Sequence, residues 1–85
     1  MYDVDTDAEV NEQVAALPAQ ALPLYAELMA TLAVSPWSGE IYNQERPHTA
    51  NMRTHPFGPN AEGFIIYLIL EQERRVSVLR VVWID

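Results

Sequence analysis

The sequence predicts an α+β fold: an N-terminal strand, a two-helix hairpin, then a three-stranded antiparallel meander, with both helices on one face of a small sheet. Three observations predict it. Apolar residues recur at helical spacing through residues 8–34, two long runs alternate at strand spacing through residues 63–84, and proline- or glycine-bearing breaks separate these stretches. The 85 residues read as one domain, 1–85, too short for a second independent core.

The elements follow in order. Tyr2-Asp3-Val4-Asp5 alternates and reads as a short edge strand, where Asp3 and Asp5 discourage pairing with other chains. Thr6-Asp7-Ala8-Glu9 has the pattern of a capping box, with Thr6 and Glu9 as its two ends. Val10, Val14 and Leu17 then form one stripe of a short helix that Leu17-Pro18 ends. Leu22, Tyr25, Met29 and Leu32, widened by Leu24 and Leu28, make the stripe of a second helix. Pro23 requires that helix to begin near residues 19–22, because its missing amide is harmless only in the first turn. Ser35-Pro36 stops it. Residues 37–50 read as a loop, with Trp37 and Tyr42 tucking it onto the body.

Residues 51–56 read as a strand and Gly58-Pro59-Asn60 as a turn. Residues 63–71 and 75–84 form the final hairpin. Its turn, Gln72-Glu73-Arg74, has no glycine signal, so a longer loop is expected there. Period two puts Phe64, Ile66, Leu68 and Leu70 on one face and Ile65, Tyr67 and Ile69 on the other. In the last strand it groups Val76, Val78, Arg80, Val82 and Ile84 against Ser77, Leu79, Val81 and Trp83. Both faces are apolar, but the helices can cover only one. The second face is a patch of a kind that monomers rarely leave in water.

Composition limits the function classes. The 49% hydrophobic content is that of a globular chain, and a chain this short buries only about 60–65% of its unfolded surface, so a partner adds useful stability. Cysteine is absent, which removes disulfides and thiolate metal sites. No apolar run approaches the roughly 18 residues of a membrane span, and the acidic start has no basic leader region; the chain reads as soluble and cytoplasmic, without a membrane partner. The net charge is −7: residues 1–45 hold eight acids and no base, and residues 46–85 hold four acids and five arginines. Such a charge repels phosphate backbones and disfavours general RNA or ribosome binding, although a local arginine site can still act.

The residues that could carry chemistry are few. Arg80, between Val78 and Val82, reads as paired with a carboxylate, held ready for an anion, or snorkelling over apolar neighbours. Arg53 and His55, at i and i+2, share one strand face and could hold a phosphate and move a proton; the plainer reading is an exposed pair on an edge strand. His48 sits in a proline-flanked loop and reads as solvated. Two separated histidines with no carboxylate at ligand spacing argue against a metal site, and no motif calls for a cofactor.

The order of elements, with Met52-Arg53-Thr54-His55-Pro56-Phe57, Phe64-Ile65-Ile66-Tyr67-Leu68 and Val76-Ser77-Val78-Leu79-Arg80-Val81, resembles the RelE/ParE toxin superfamily over nearly the whole chain. The resemblance implies the toxin of a type II toxin–antitoxin module, neutralised by a small antitoxin that wraps around it. Some such toxins cleave messenger RNA on the ribosome and others inhibit DNA gyrase. In the ribonucleases, basic residues on the front of the sheet hold the phosphate, and a terminal His, Arg or Tyr assists proton transfer. Arg53 matches the family's first-strand arginine; His55 and Arg80 lie near the pattern but match no diagnostic position. Phe64 stands where an arginine is usual, and Trp83 and Ile84 stand where the last strand often ends in His or Arg. If the chain cleaves RNA, the resemblance implies that Arg53 and Arg80 steady the phosphate and His55 transfers the proton. Two other readings stand beside it. One is a non-catalytic interaction module of the same fold that closes its apolar face against a second copy. The other is a small-ligand binder that uses Arg80 as an anion anchor.

Overall fold

The computed structural model describes residues 1–43, 45 and 50–84. Strand β1 (Asp3–Asp5) is tied in at its start: the Tyr2 amide donates to the Ala33 carbonyl at 2.8 Å and the Asp3 amide to the Arg74 carbonyl at 2.9 Å. Helix α1 (Ala8–Ala15) is capped by Asp7, whose Oδ1 accepts from the Val10 amide at 2.9 Å. The cap expected at Thr6 thus falls one residue later. A carboxylate at the N-cap both accepts an orphan amide and complements the helix dipole, and the Thr6 hydroxyl turns to Asn11 Oδ1 instead, at 2.7 Å.

A 3₁₀ turn over Ala19–Ala21 leads into α2 (Leu22–Val34), with Pro23 in the first turn as expected. Leu22 itself stays 43% exposed; the buried seam runs through Ala21, Leu28 and Leu32. The chain turns by 117° between the two helices, neither of which is long and apolar enough to cross a membrane.

The remaining strands are β2 (Glu40–Ile41), β3 (Met52–Phe57), β4 (Gly63–Leu70) and β5 (Arg75–Trp83). They form one mixed sheet in the order β1-β5-β4-β3-β2, with β1 parallel to β5 and every other pair antiparallel. The meander is as expected; β2 is not. The segment read as loop contributes this fifth strand, which pairs Glu40 with Thr54 and Ile41 with Arg53. Two residues carry no periodicity, so only the long-range pairing defines β2. Gly39 permits it: a Cβ there would collide with the Tyr67 hydroxyl and the Thr54 carbonyl. Arg46 and His48, of the same loop, lie outside the described residues.

The helices cover the face of β4 that carries Ile65, Tyr67 and Ile69, all at most 2% exposed, against Val10, Leu28, Leu32, Val76 and Val78. Each such aliphatic or aromatic side chain contributes about 1.5–3 kcal/mol by leaving water. The Tyr67 hydroxyl stays satisfied in this core by donating to the Pro36 carbonyl at 2.6 Å. Between β4 and β5 the turn is a 3₁₀ segment, Glu71–Glu73, closed by Arg74 at φ 52°, a longer connection without glycine.

One irregularity changes the reading of β5. The register runs Tyr67 to Val78 and then Ile66 to Arg80, so Leu79 is an extra residue in a β-bulge. Beyond it the facing of every side chain inverts. Val76, Val78 and Val81 are buried beneath the helices, whereas Arg80 is exposed on the opposite face. The single face expected for Val76, Val78, Arg80 and Val82 does not exist.

Candidate functional site

The helix-free face of the sheet is built by the even positions of β4 and their cross-strand partners. Phe64, Ile66, Leu68 and Leu70 are half-buried there, flanked by Met52, Thr54 and Pro56 of β3 and by Ser77, Arg80 and Val82 of β5. Among the described residues no helix packs over them. At one edge an exposed polar group closes the face: Arg75 Nε lies 3.3 Å from Asp5 Oδ2, and the Ser77 hydroxyl donates to Asp5 Oδ1 at 2.9 Å. At the other edge stands Glu40. Arg80 makes no ion pair among the described residues. The result is an apolar surface with one unpaired guanidinium set into it.

The three residues singled out in the sequence are divided between the two faces. Arg53 pairs with Tyr67 and His55 with Ile65, so both lie on the helix side, as a same-face pair. Arg80 pairs with Ile66 and lies on the open side. A phosphate held by Arg80 is therefore separated from Arg53 and His55 by the sheet itself.

Arg53 is engaged by the fold. Its Nε donates to the Ala50 carbonyl at 2.8 Å, and its Nη1 donates to the carbonyls of Gly39 at 2.8 Å and Trp37 at 3.1 Å. Its guanidinium also lies 5.0 Å from the centre of the Trp37 ring. It fastens residues 37–41 to β3. Its charge also works on Tyr67, where it opposes the upward push that burial gives the phenol.

His55 is half-buried, with Nδ1 2.8 Å from the Pro56 carbonyl, so the tautomer that carries the proton on Nδ1 donates to that oxygen. It borders an open groove of about 500 Å³ between α2 and the β3–β4 turn, lined mainly by Leu24, Leu28, Phe57 and Pro59, with Glu27 and Thr31 at its rim. The groove is mostly apolar; its described lining includes the Glu27 carboxylate but no arginine and no second imidazole.

Sequence reasoning missed one well-connected polar group, Glu71. Its Oε1 accepts from the Tyr2 hydroxyl at 2.6 Å and from Trp37 Nε1 at 2.8 Å, and its Oε2 accepts from Arg74 Nη1 at 3.0 Å. The Tyr2 and Trp37 bonds, then the Arg74 pair, hold its carboxyl below the usual range. The cluster clips the N-terminus and the loop to the β4–β5 hairpin. Its members are up to 72 residues apart in sequence, so no local signal could have found it. Among the described residues no group of three or more histidines and carboxylates could hold a metal ion. Among the described residues no imidazole lies on the open face, whose charged groups are the Arg80 guanidinium and, at the edges, the Arg75–Asp5 pair and Glu40. That chemistry suits binding better than proton transfer.

No protein-family model matches the sequence, and no curated protein matches it. Solved structures do match. The isolated RelE toxin of E. coli superposes with a TM-score of 0.78 at 11% identity, covering 100% of this chain and 86% of the toxin chain. A chain of the intact E. coli RelBE toxin–antitoxin complex gives 0.79 at 13% identity, covering 100% of this chain and 99% of that one. A chain of the RelBE2 toxin–antitoxin complex from Mycobacterium tuberculosis gives 0.78 at 21% identity over 96% of each. The expectation drawn from strand and helix order is met: the chain shares the fold of the RelE toxins.

Proposed function

We propose that this chain is the toxin-fold member of a toxin–antitoxin pair, cytoplasmic, and that its open sheet face is where a small protein partner docks. The observation that carries the proposal is that face: four half-buried apolar residues on β4, bordered by Arg80, with no helix above them among the described residues. The fold supports the choice of partner, since two of the three matching structures described above are chains of toxin–antitoxin complexes. An amphipathic partner helix would set apolar anchors at i, i+3, i+4 and i+7 over Ile66 and Leu68, with an acidic residue reaching Arg80. Induced expression of the chain alone tests this reading. Growth arrest that the product of an adjacent reading frame relieves supports it, and normal growth without that product counts against it.

The second reading, a non-catalytic interaction module, is favoured by the division of Arg53 and His55 from Arg80. Arg80 alone of the three stands where a target or partner can reach it across the open face. Growth arrest that survives His55→Ala but is lost in Arg80→Ala separates binding through this face from proton transfer by the imidazole.

A further inference from the structure

The geometry points to a second copy of this chain as the occupant of the open face when the protein is alone, in a two-fold dimer fastened by reciprocal Arg80–Glu40 ion pairs. The inference rests on the open face and not on the toxin reading.

The sheet register carries it. Arg80 pairs with Ile66, Ile66 with Thr54, and Thr54 with Glu40, so these four residues form one straight row across β5, β4, β3 and β2. The row begins with an unpaired cation, ends with an unpaired carboxylate, and has Ile66 and Thr54 between them. Strands in a sheet are spaced about 4.8 Å apart, and two sheets pack face to face about 10 Å apart with their strands nearly aligned. A two-fold axis parallel to the strands, midway between β3 and β4, reverses the row onto itself. Arg80 of each copy then lies over Glu40 of the other, and Ile66 lies over Thr54. The same operation sets Leu68 over Met52, apolar on apolar.

Like charges do not meet in this arrangement. The acids of β1 end at Asp5, which pairs with Ser77, three residues short of Arg80 along β5. The second copy's Glu40 therefore approaches a stretch of β5 that β1 does not flank. The bulge at Leu79 is what makes the pairing available, because without it Arg80 would turn toward the helices. Charge complementarity of a surface with itself is the requirement for a closed two-fold interface.

The face also sets the strength. The eight residues of β4 span about 26 Å, and four strands with their margins span about 19 Å, a footprint on the order of 500 Å² per copy. Roughly 1,000 Å² in total lies at the low end of interface sizes, where weak and transient encounters fall, so association is to be sought at about 10–100 µM chain.

Sedimentation equilibrium of the purified chain, without partner, tests the inference across that concentration range. The parent is expected to show reversible monomer–dimer exchange. Each substitution acts twice in a two-fold dimer, so Arg80→Glu alone and Glu40→Arg alone should each weaken association about tenfold or more. The doubly exchanged variant should return to within about threefold of the parent, since the row is restored with its charges swapped. Ile66→Asp should be monomeric, with circular dichroism confirming that it is folded. A parent that stays monomeric throughout, a dimer indifferent to either single charge reversal, or a double exchange that restores nothing would each overturn the inference.

Discussion

Replacing Arg53 by alanine separates a structural arginine from a catalytic one. The guanidinium donates to three backbone carbonyls, of Ala50, Gly39 and Trp37, at 2.8, 2.8 and 3.1 Å, and lies 5.0 Å from the Trp37 ring. A hydrogen bond from a charged donor contributes about 1.5–3 kcal/mol when it is shielded from water. Here the side chain is only half-buried and the freed carbonyls can partly rehydrate, so the three bonds and the ring contact together come to about 2–4 kcal/mol. For a domain of this size that corresponds to a fall in Tm of about 10–25 °C. Arg53→Lys keeps the charge but not the fork that spans separate carbonyls, and should recover less than half of the loss. Arg80→Ala removes an exposed, unpaired side chain and should stay within about 0.5 kcal/mol of the parent. Thermal unfolding followed by circular dichroism reads all three. An Arg53→Ala variant that melts within about 2 °C of the parent would refute the assignment of Arg53 as the clasp of residues 37–41.

Three further outcomes follow from the same contacts. Tyr67→Phe leaves the Pro36 carbonyl without its donor in the core and should cost about 1–2 kcal/mol in chemical denaturation, with no change in denaturant slope. Gly63→Ala puts a Cβ 2.6 Å from the Phe57 ring and 2.8 Å from Trp83, two flat rings that cannot withdraw, and should cost about 1–3 kcal/mol by the same measurement. Glu71 tests the clip by pH. Its carboxyl is held below the ordinary value of 4.5, so its stabilising charge is fully present above that pH and is lost as pH falls through the lowered folded value. The Tm difference between the parent and Glu71→Gln should therefore be largest near neutrality and should shrink on acidification below about pH 4.5. A difference that grows toward acid would contradict the clip.

Much of the architecture was legible in the chain, and the exceptions share a cause. The alternation in β4 gives its two faces directly, and Leu17-Pro18, Pro23 and Ser35-Pro36 bound the helices close to where they lie. What local pattern could not supply was anything decided across the sheet. The bulge at Leu79 carries no glycine or other compositional mark, yet it turns Arg80 from the core side to the open side. Strand β2 is two residues whose partners are Arg53 and Thr54, more than ten positions away, and without it Glu40 has no assigned face.

The candidate site shows the same limit. That Arg53 and His55 share a face follows from their spacing; which face does not, because both sides of β4 are apolar. Only packing shows that the helices take the side with Ile65, Tyr67 and Ile69 and leave Ile66 and Leu68 open. Arg53 is then engaged by the scaffold, and of the three residues singled out in the sequence only Arg80 lies on the open face.

The central claim is that the open face, rather than the side bearing Arg53 and His55, is where this protein meets its partner. Binding of the chain to the product of an adjacent reading frame, measured by isothermal titration for the parent, Ile66→Asp and His55→Ala, tests that claim most directly. Ile66→Asp sets a charge at the centre of the face and should weaken binding at least ~100-fold, as loss of a central interface anchor does, while His55→Ala should bind as the parent does. Undiminished binding by Ile66→Asp, or its loss in His55→Ala, would contradict the account.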